Sequence, residues 1–158
     1  MFRELTRKKQ ALSQEACIDL LKQQKRGVLS VLGDDGYPYG VPLNYWYDPA
    51  QGRLYFHSGK TGHKIDAIKR HNKVSFCVTD QGTKRPDHWS LDFNSVVVFG
   101  RVQWIDEPAE IAEICAKLSA QFTHDQAYIE QEIRSFGAKT VCFALVPEQI
   151  CGKRVNEA

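Results

Sequence analysis

Apolar and polar residues alternate through much of the chain, in short runs separated by glycine, proline and aspartate. Residues 27–32 (GVLSVL) and 37–47 (YPYGVPLNYWY) read as strands flanking Gly33-Asp34-Asp35-Gly36. The Asp-Gly ending predicts an antiparallel hairpin, because glycine tolerates positive φ. A second turn at Asp48-Pro49-Ala50-Gln51-Gly52 returns the chain into a strand over 53–57, so the three strands are expected to form a meander. Further strands are predicted over 73–79, 92–104 and 140–146, with a bend or bulge at Gly100. Helical spacing appears in four places. Ser13 caps a helix reaching about Gln24 that carries Ala16, Cys17, Leu20 and Leu21 on one stripe. A short helix over 63–70 turns Ile65 and Ile68 inward, and a third starts at Pro108 with Ile111, Ile114, Cys115 and Leu118 on one face. A fourth covers 126–134, while 80–89 reads as a polar loop. Six strands joined largely by tight turns, with helices at the margins, predict a mainly β protein: a six-stranded antiparallel barrel, closed or half-closed. Pro38 and Pro42 cannot donate a ladder hydrogen bond. The second strand is therefore expected at an edge or irregular near residues 41–44, with backbone groups left free.

At 158 residues and 18.0 kDa the chain is long enough for one core, and a single domain over 1–158 is expected. A formal net charge of +2 is too small for wholesale attraction to nucleic acid or membranes, so any preference for a charged partner must be local. No apolar run approaches the roughly 18 residues of a membrane span. The opening MFRELTRKKQ has no apolar signal segment behind its charges, and a cytoplasmic location is expected. The five cysteines (Cys17, Cys77, Cys115, Cys142, Cys151) are scattered and form no CxxC pair, which argues against a disulfide framework and a structural zinc site. They are expected to act as small buried hydrophobes, with Cys151, beside Gly152 and Lys153, the one candidate for reactivity.

The most informative stretch is residues 54–70, LYFHSGKTGHKIDAIKR, where a strand runs through a basic glycine loop into a helix. Gly59 and Gly62 let backbone approach a ligand, and Ser58 and Thr61 supply hydroxyls. Lys60, His63 and Lys64 gather donors where the unpaired N–H groups of a helix N-terminus point outward. The spacing is neither GxxxxGK[ST] nor GxGxxG, which leaves a phosphate clamp of another kind: Lys64 as counter-charge and the amides of Thr61, Gly62 and His63 as donors. The plainer reading is a solvated basic turn with capping glycines. His57 ends the preceding strand and titrates near neutrality, although a histidine there also serves as an ordinary hydrogen-bonded residue. His57, His63 and His71 lie six and eight residues apart, which matches no short helical ligand pair, and no metal is expected. Tyr37, Tyr39, Tyr45, Trp46 and Tyr47 suit an alternating strand surface, with room for one ring to pack on a planar ligand. A barrel binding single-stranded nucleic acid would also interleave bases with aromatics. Here the positive residues cluster at one loop instead of tracking a groove, and no nucleic-acid partner is expected.

In order and spacing, FRELTRKKQALS, RGVLSVLGDDGYPYGVPLNYWY, LYFHSGKTGHKIDAIKRHNKVSFCV, FNSVVVFGRV and the terminal Gly152-Lys153 resemble the flavin-binding split-barrel superfamily of pyridoxamine-phosphate-oxidase-like proteins, and within it the Nim-type nitroimidazole reductases. The resemblance implies a six-stranded split barrel forming a homodimer with FMN at the subunit interface. It places the backbone of Val41, Pro42, Leu43, Asn44 and Tyr45 along the isoalloxazine ring. His57 and Ser58 would lie near the ring or ribityl chain, and Thr61, Gly62, His63 and Lys64 at the phosphate. Asn94 and Ser95 would complete the pocket, within the subunit or across the dimer. The tail VPEQICGKRVNEA lacks the arginine-rich, proline-ending substrate segment of true pyridoxamine-phosphate oxidases, so vitamin oxidation is not expected. The implied activity is reduction of a small nitro-aromatic or related electrophile with electrons from a reduced donor such as NAD(P)H, and His57 would supply a proton. The alternative is a carrier or sensor that holds FMN, or haem as some relatives do, without turnover.

Overall fold

In the computed structural model, which describes residues 1–156, one antiparallel sheet curls on itself and carries four helices. Its strands are β1 (Arg26–Leu32), β2 (Pro38–Asn44), β3 (Trp46–Asp48), β4 (Arg53–Gly59), β5 (Lys73–Thr79), β6 (Thr83–Lys84), β7 (Leu91–Ile105) and β8 (Thr140–Asn156). The helices are α1 (Gln14–Gln23), α2 (His63–Arg70), α3 (Pro108–Ala120) and α4 (Gln126–Phe136). The strand order is β2-β1-β5-β7-β8-β4-β3, with β6 added to β7. The half-closed antiparallel barrel with marginal helices is as expected. The two strands beyond the expected six are β3 and β6, of three and two residues.

The expected meander does not form. β1 and β2 pair through the 34–36 turn, where Asp35 and Gly36 take positive φ, and β3 and β4 pair in turn, but β2 and β4 do not. β2 and β3 lie at opposite ends of the sheet although Tyr45 alone separates them. A chain cannot span more than about 7 Å in two residues, so the two edges must meet there. Tyr45 is the closure. Its ring is fully buried and its hydroxyl donates to the Leu21 carbonyl at the end of α1 (2.8 Å). Its N–H donates to Lys25 O (3.0 Å), and its carbonyl accepts from Gln121 Nε2 (2.8 Å).

The last strand is also longer than expected, running to Asn156 instead of stopping near Val146. Pro147 and Glu148 look like a strand end. The ladder instead slips there: Phe99 faces Gln149 and Gly100 faces Pro147, so Glu148 is bulged out and its carboxylate reaches Arg101 (2.6 Å). Gly100 is required, because a Cβ would run into the Val146 carbonyl. The bulge thus falls where Gly100 was expected to mark one.

Strand parity sorts the side chains. Leu54, Phe56 and Ser58 of β4 point into the barrel, where Phe56 packs on Phe76 (5.0 Å) and Phe143 (5.1 Å) and α1 seals one end with Cys17, Leu20 and Leu21. Tyr55 and His57 point outward, where Ile114 and Leu118 of α3 cover Tyr55, Ile105, Cys142 and Ala144. Replacing Tyr45 by Phe keeps the ring but strips the Leu21 carbonyl of its donor. We expect a loss of about 1–3 kcal/mol in chemical unfolding with no change of fold; an unchanged midpoint would mean that this hydrogen bond does not hold the closure.

Candidate functional site

The loop after β4 and the start of α2 form an exposed, lysine-bearing helix entry. Gly62 is the N-cap at φ 126°, and no side chain caps the helix. The first intrahelical bond runs from Asp66 N–H to Gly62 O (3.1 Å), which leaves the N–H groups of His63, Lys64 and Ile65 without intrahelical acceptors. Gly59 and Gly62 face open space, with no atom within 4 Å of where a Cβ would stand. Lys60, Thr61, Gly62 and His63 are exposed and Lys64 is half-buried, while Ile65, Ala67 and Ile68 anchor the helix on the barrel. Uncompensated N–H groups beside two lysines suit an anion.

His63 does more than donate. Its ring stacks on Tyr39 (4.1 Å between centroids), and its Nε2 accepts from the Asp34 N–H (3.3 Å). The Asp34 carboxylate pairs with Arg70 (2.6 Å) at the other end of the same helix. Asp34 and Arg70 escape a reading of the sequence because they are 36 residues apart and carry no motif. Together these contacts pin α2 against the β1–β2 turn.

That places the helix N-terminus beside the start of β2, and β2 is an edge strand as its prolines predicted. The ladder begins with Gly33 N–H donating to Tyr37 O (2.9 Å), so alternation turns Tyr39, Val41 and Leu43 toward β1 and Pro38, Gly40, Pro42 and Asn44 toward the open side. The prolines remove two outward donors and so discourage strand addition. Of residues 41–45, the outward groups are the Pro42 carbonyl and the Asn44 N–H and carbonyl; the Tyr45 backbone is fully paired. From Tyr39 to Asn44 this edge runs about 17 Å at 3.4 Å per residue.

The remaining candidates separate. Ser58 is buried with its Oγ lacking a partner, an orphaned hydroxyl just before the anion loop. His57 faces the other way and lines a cavity of about 120 Å³ with Cys115, Ser119, Glu132 and Phe136. Through shared walls at Cys115, Ile133, Gly137 and Thr140 this joins an apolar cavity of about 470 Å³ between α3 and α4, with Lys60 at its border. Neither residues 41–45 nor 61–64 line either cavity. Although His57 is exposed, the packing around it pushes its pKa below the usual histidine value. Asn94 and Ser95 sit far along β7. Cys142, opposite His57, pairs with Ile105, and Asn94 is about 36 Å back along that strand at 3.3 Å per residue. The Asn94 amide and N–H both donate to the Asp80 carboxylate (2.8 and 2.9 Å). Cys151 is half-buried, donates to Val97 O (3.7 Å), and has its pKa raised by burial, which argues against the reactivity considered for it. Among the described residues no three His, Cys, Asp or Glu side chains converge as a metal requires, and no helix is long and apolar enough to cross a membrane.

A curled antiparallel sheet of this order with helices at its margins is a split barrel. The family described as pyridoxamine 5'-phosphate oxidase matches residues 13–154, and the chain belongs to it. A comparison with curated proteins finds no match. Among solved structures the chain is similar to a candidate 5-nitroimidazole antibiotic resistance protein of Bacteroides thetaiotaomicron, at 21% identity and a TM-score of 0.76, covering 92% of this chain and 87% of that one. It is also similar to an FAD-binding protein of Mesorhizobium loti (27% identity, TM-score 0.65, 92% and 96% covered). A third similar structure is an FAD- and haem-binding protein of Mycobacterium smegmatis (20% identity, TM-score 0.73, 95% and 74% covered).

The His57 environment is open to direct measurement. In an NMR titration its ring should show a midpoint below 6.5, the ordinary value; a midpoint at or above that value would contradict the desolvation seen here.

Proposed function

We propose that the protein is an FMN-dependent oxidoreductase that reduces small nitro-aromatic, nitroimidazole-like or related electrophilic compounds, and that it works as a homodimer. The observation that carries this reading is the placement of an uncapped, lysine-flanked helix N-terminus at one end of an unpaired strand edge. The residues present fit a phosphorylated flavin: an anion site, and backbone acceptors and a donor spaced along a free strand edge.

In this reading Lys64 and the amides of Thr61, Gly62 and His63 hold the phosphate. The strip Val41, Pro42, Leu43 and Asn44 takes the ring, with Tyr45 fixing the strip from inside the core. A bound flavin would supply the two-electron redox chemistry between a reduced donor such as NAD(P)H and the acceptor. His57, which faces the cleft beside α3, would supply a proton to an acceptor that reaches that cleft, and Asn94 and Ser95 would complete the pocket across the dimer. The likeness to a nitroimidazole resistance structure supports the choice of acceptor. The likeness to an FAD- and haem-binding protein supports the second reading, a carrier or sensor without turnover.

The purified protein should show flavin absorption, and after anaerobic photoreduction a nitroimidazole should reoxidise it within a catalytic time. A haem spectrum, or flavin that stays reduced, would favour the carrier. Lys64→Ala should weaken FMN by ~1.5–3 kcal/mol, roughly 10- to 150-fold, in an equilibrium titration; unchanged affinity would remove Lys64 from the phosphate site. The pH profile follows from the lowered His57 pKa. Its protonated form is fully present only well below 6.5 and is lost as pH rises through that lowered midpoint, so turnover should fall across the same window. His57→Gln should flatten the profile while FMN stays bound; an unaltered profile would exclude His57 as the proton source.

A further inference from the structure

Two thiols unused by the proposed chemistry meet in the wall of the cleft below His57. Cys115, midway along α3, has its sulfur 3.9 Å from that of Cys142 near the start of β8. Cys142 is fully buried, whereas Cys115 is partly open and borders both cavities of the cleft. A small solute therefore reaches one sulfur and not the other. The contact between the two sulfurs favours ionisation of the more open Cys115 and disfavours that of Cys142, which burial also opposes. The remaining cysteines offer no comparable pair. Cys77 and Cys151 flank Val97 on either side of β7, two strand spacings or about 9.6 Å apart, and Cys17 is sealed inside the barrel.

We propose that Cys115 and Cys142 form a redox-active dithiol, with Cys115 as the thiol that attacks hydrogen peroxide and Cys142 as the resolving thiol. The Cys115 thiolate attacks one peroxide oxygen; an S–O bond forms, the O–O bond breaks, and the departing oxygen leaves as water after protonation. The Cys142 sulfur then displaces the sulfenic hydroxyl. The S–S bond forms, the S–O bond breaks, and the hydroxyl leaves with the Cys142 proton as a second water. Two thiols lose two electrons in total and the peroxide gains them. Because the sulfurs already touch, the bond staples α3 to β8 without crossing any other element, and it sets the wall of the cleft beside His57 according to the peroxide level.

The test is thiol counting on the full chain. After a stoichiometric dose of hydrogen peroxide, denaturation and alkylation with N-ethylmaleimide, adducts should fall from five to three. The mass before alkylation should drop by two hydrogens, and a peptide joining Cys115 to Cys142 should appear and disappear on treatment with dithiothreitol. In Cys142→Ala, Cys115 should instead accumulate as a sulfenic acid trapped by dimedone. Cys115→Ser, a change at a partly exposed position, should keep all four remaining thiols. Five adducts after peroxide, a linked peptide with any other pairing, or a disulfide formed in Cys115→Ser would each overturn the proposal.

Discussion

The architecture turns on the single-residue passage from one edge of the sheet to the other. Because Tyr45 alone joins β2 to β3, the sheet must roll until its first and last strands meet, and every hydrogen-bonding group of Tyr45 is engaged in holding that junction. The bulge at Glu148 serves the same end from the far side, letting the two longest strands bend together without a break in their pairing. Rolling the sheet leaves β2 with one free side, and the two prolines on that side keep it from recruiting another strand.

Closure also decides what lies beside that free side. The β1–β2 turn is brought to α2, where Tyr39, Asp34, His63 and Arg70 lock hairpin to helix. Two incomplete structures, a helix start lacking its cap and a strand lacking a neighbour, thus become ends of one elongated surface. Each is costly alone, since exposed amides and carbonyls want partners. A ligand with an anionic head and a flat, polar-edged body would satisfy both at once, and the proposed flavin site rests on that match.

Local signals explain what the sequence made legible. Ser13 caps α1 as expected, α2 and β5 fall on their expected residues, and the Asp-Gly turn makes its hairpin. The glycine-rich entry to α2 is visible because a helix start is encoded within a few residues. What sequence reasoning missed is long-range. Nothing near Tyr45 says that its two flanking strands belong to opposite edges, and the Pro147 that mimics a strand end is rescued by a bulge whose partner lies 47 residues away at Arg101. Parity was missed as well: His57 and Ser58 are neighbours in sequence, yet one faces the helical cleft and the other the core, so residues grouped as one site divide between two surfaces.

The central claim is that the uncapped start of α2 selects a phosphorylated ligand. Equilibrium titration of the flavin-free protein with FMN and with riboflavin, which differ only in the phosphate, tests it most directly. The account predicts that FMN binds at least about tenfold more tightly, the equivalent of ~1.4 kcal/mol or more from charge-assisted contacts, and that raising the salt concentration narrows the gap. Equal affinity for the two flavins would contradict it.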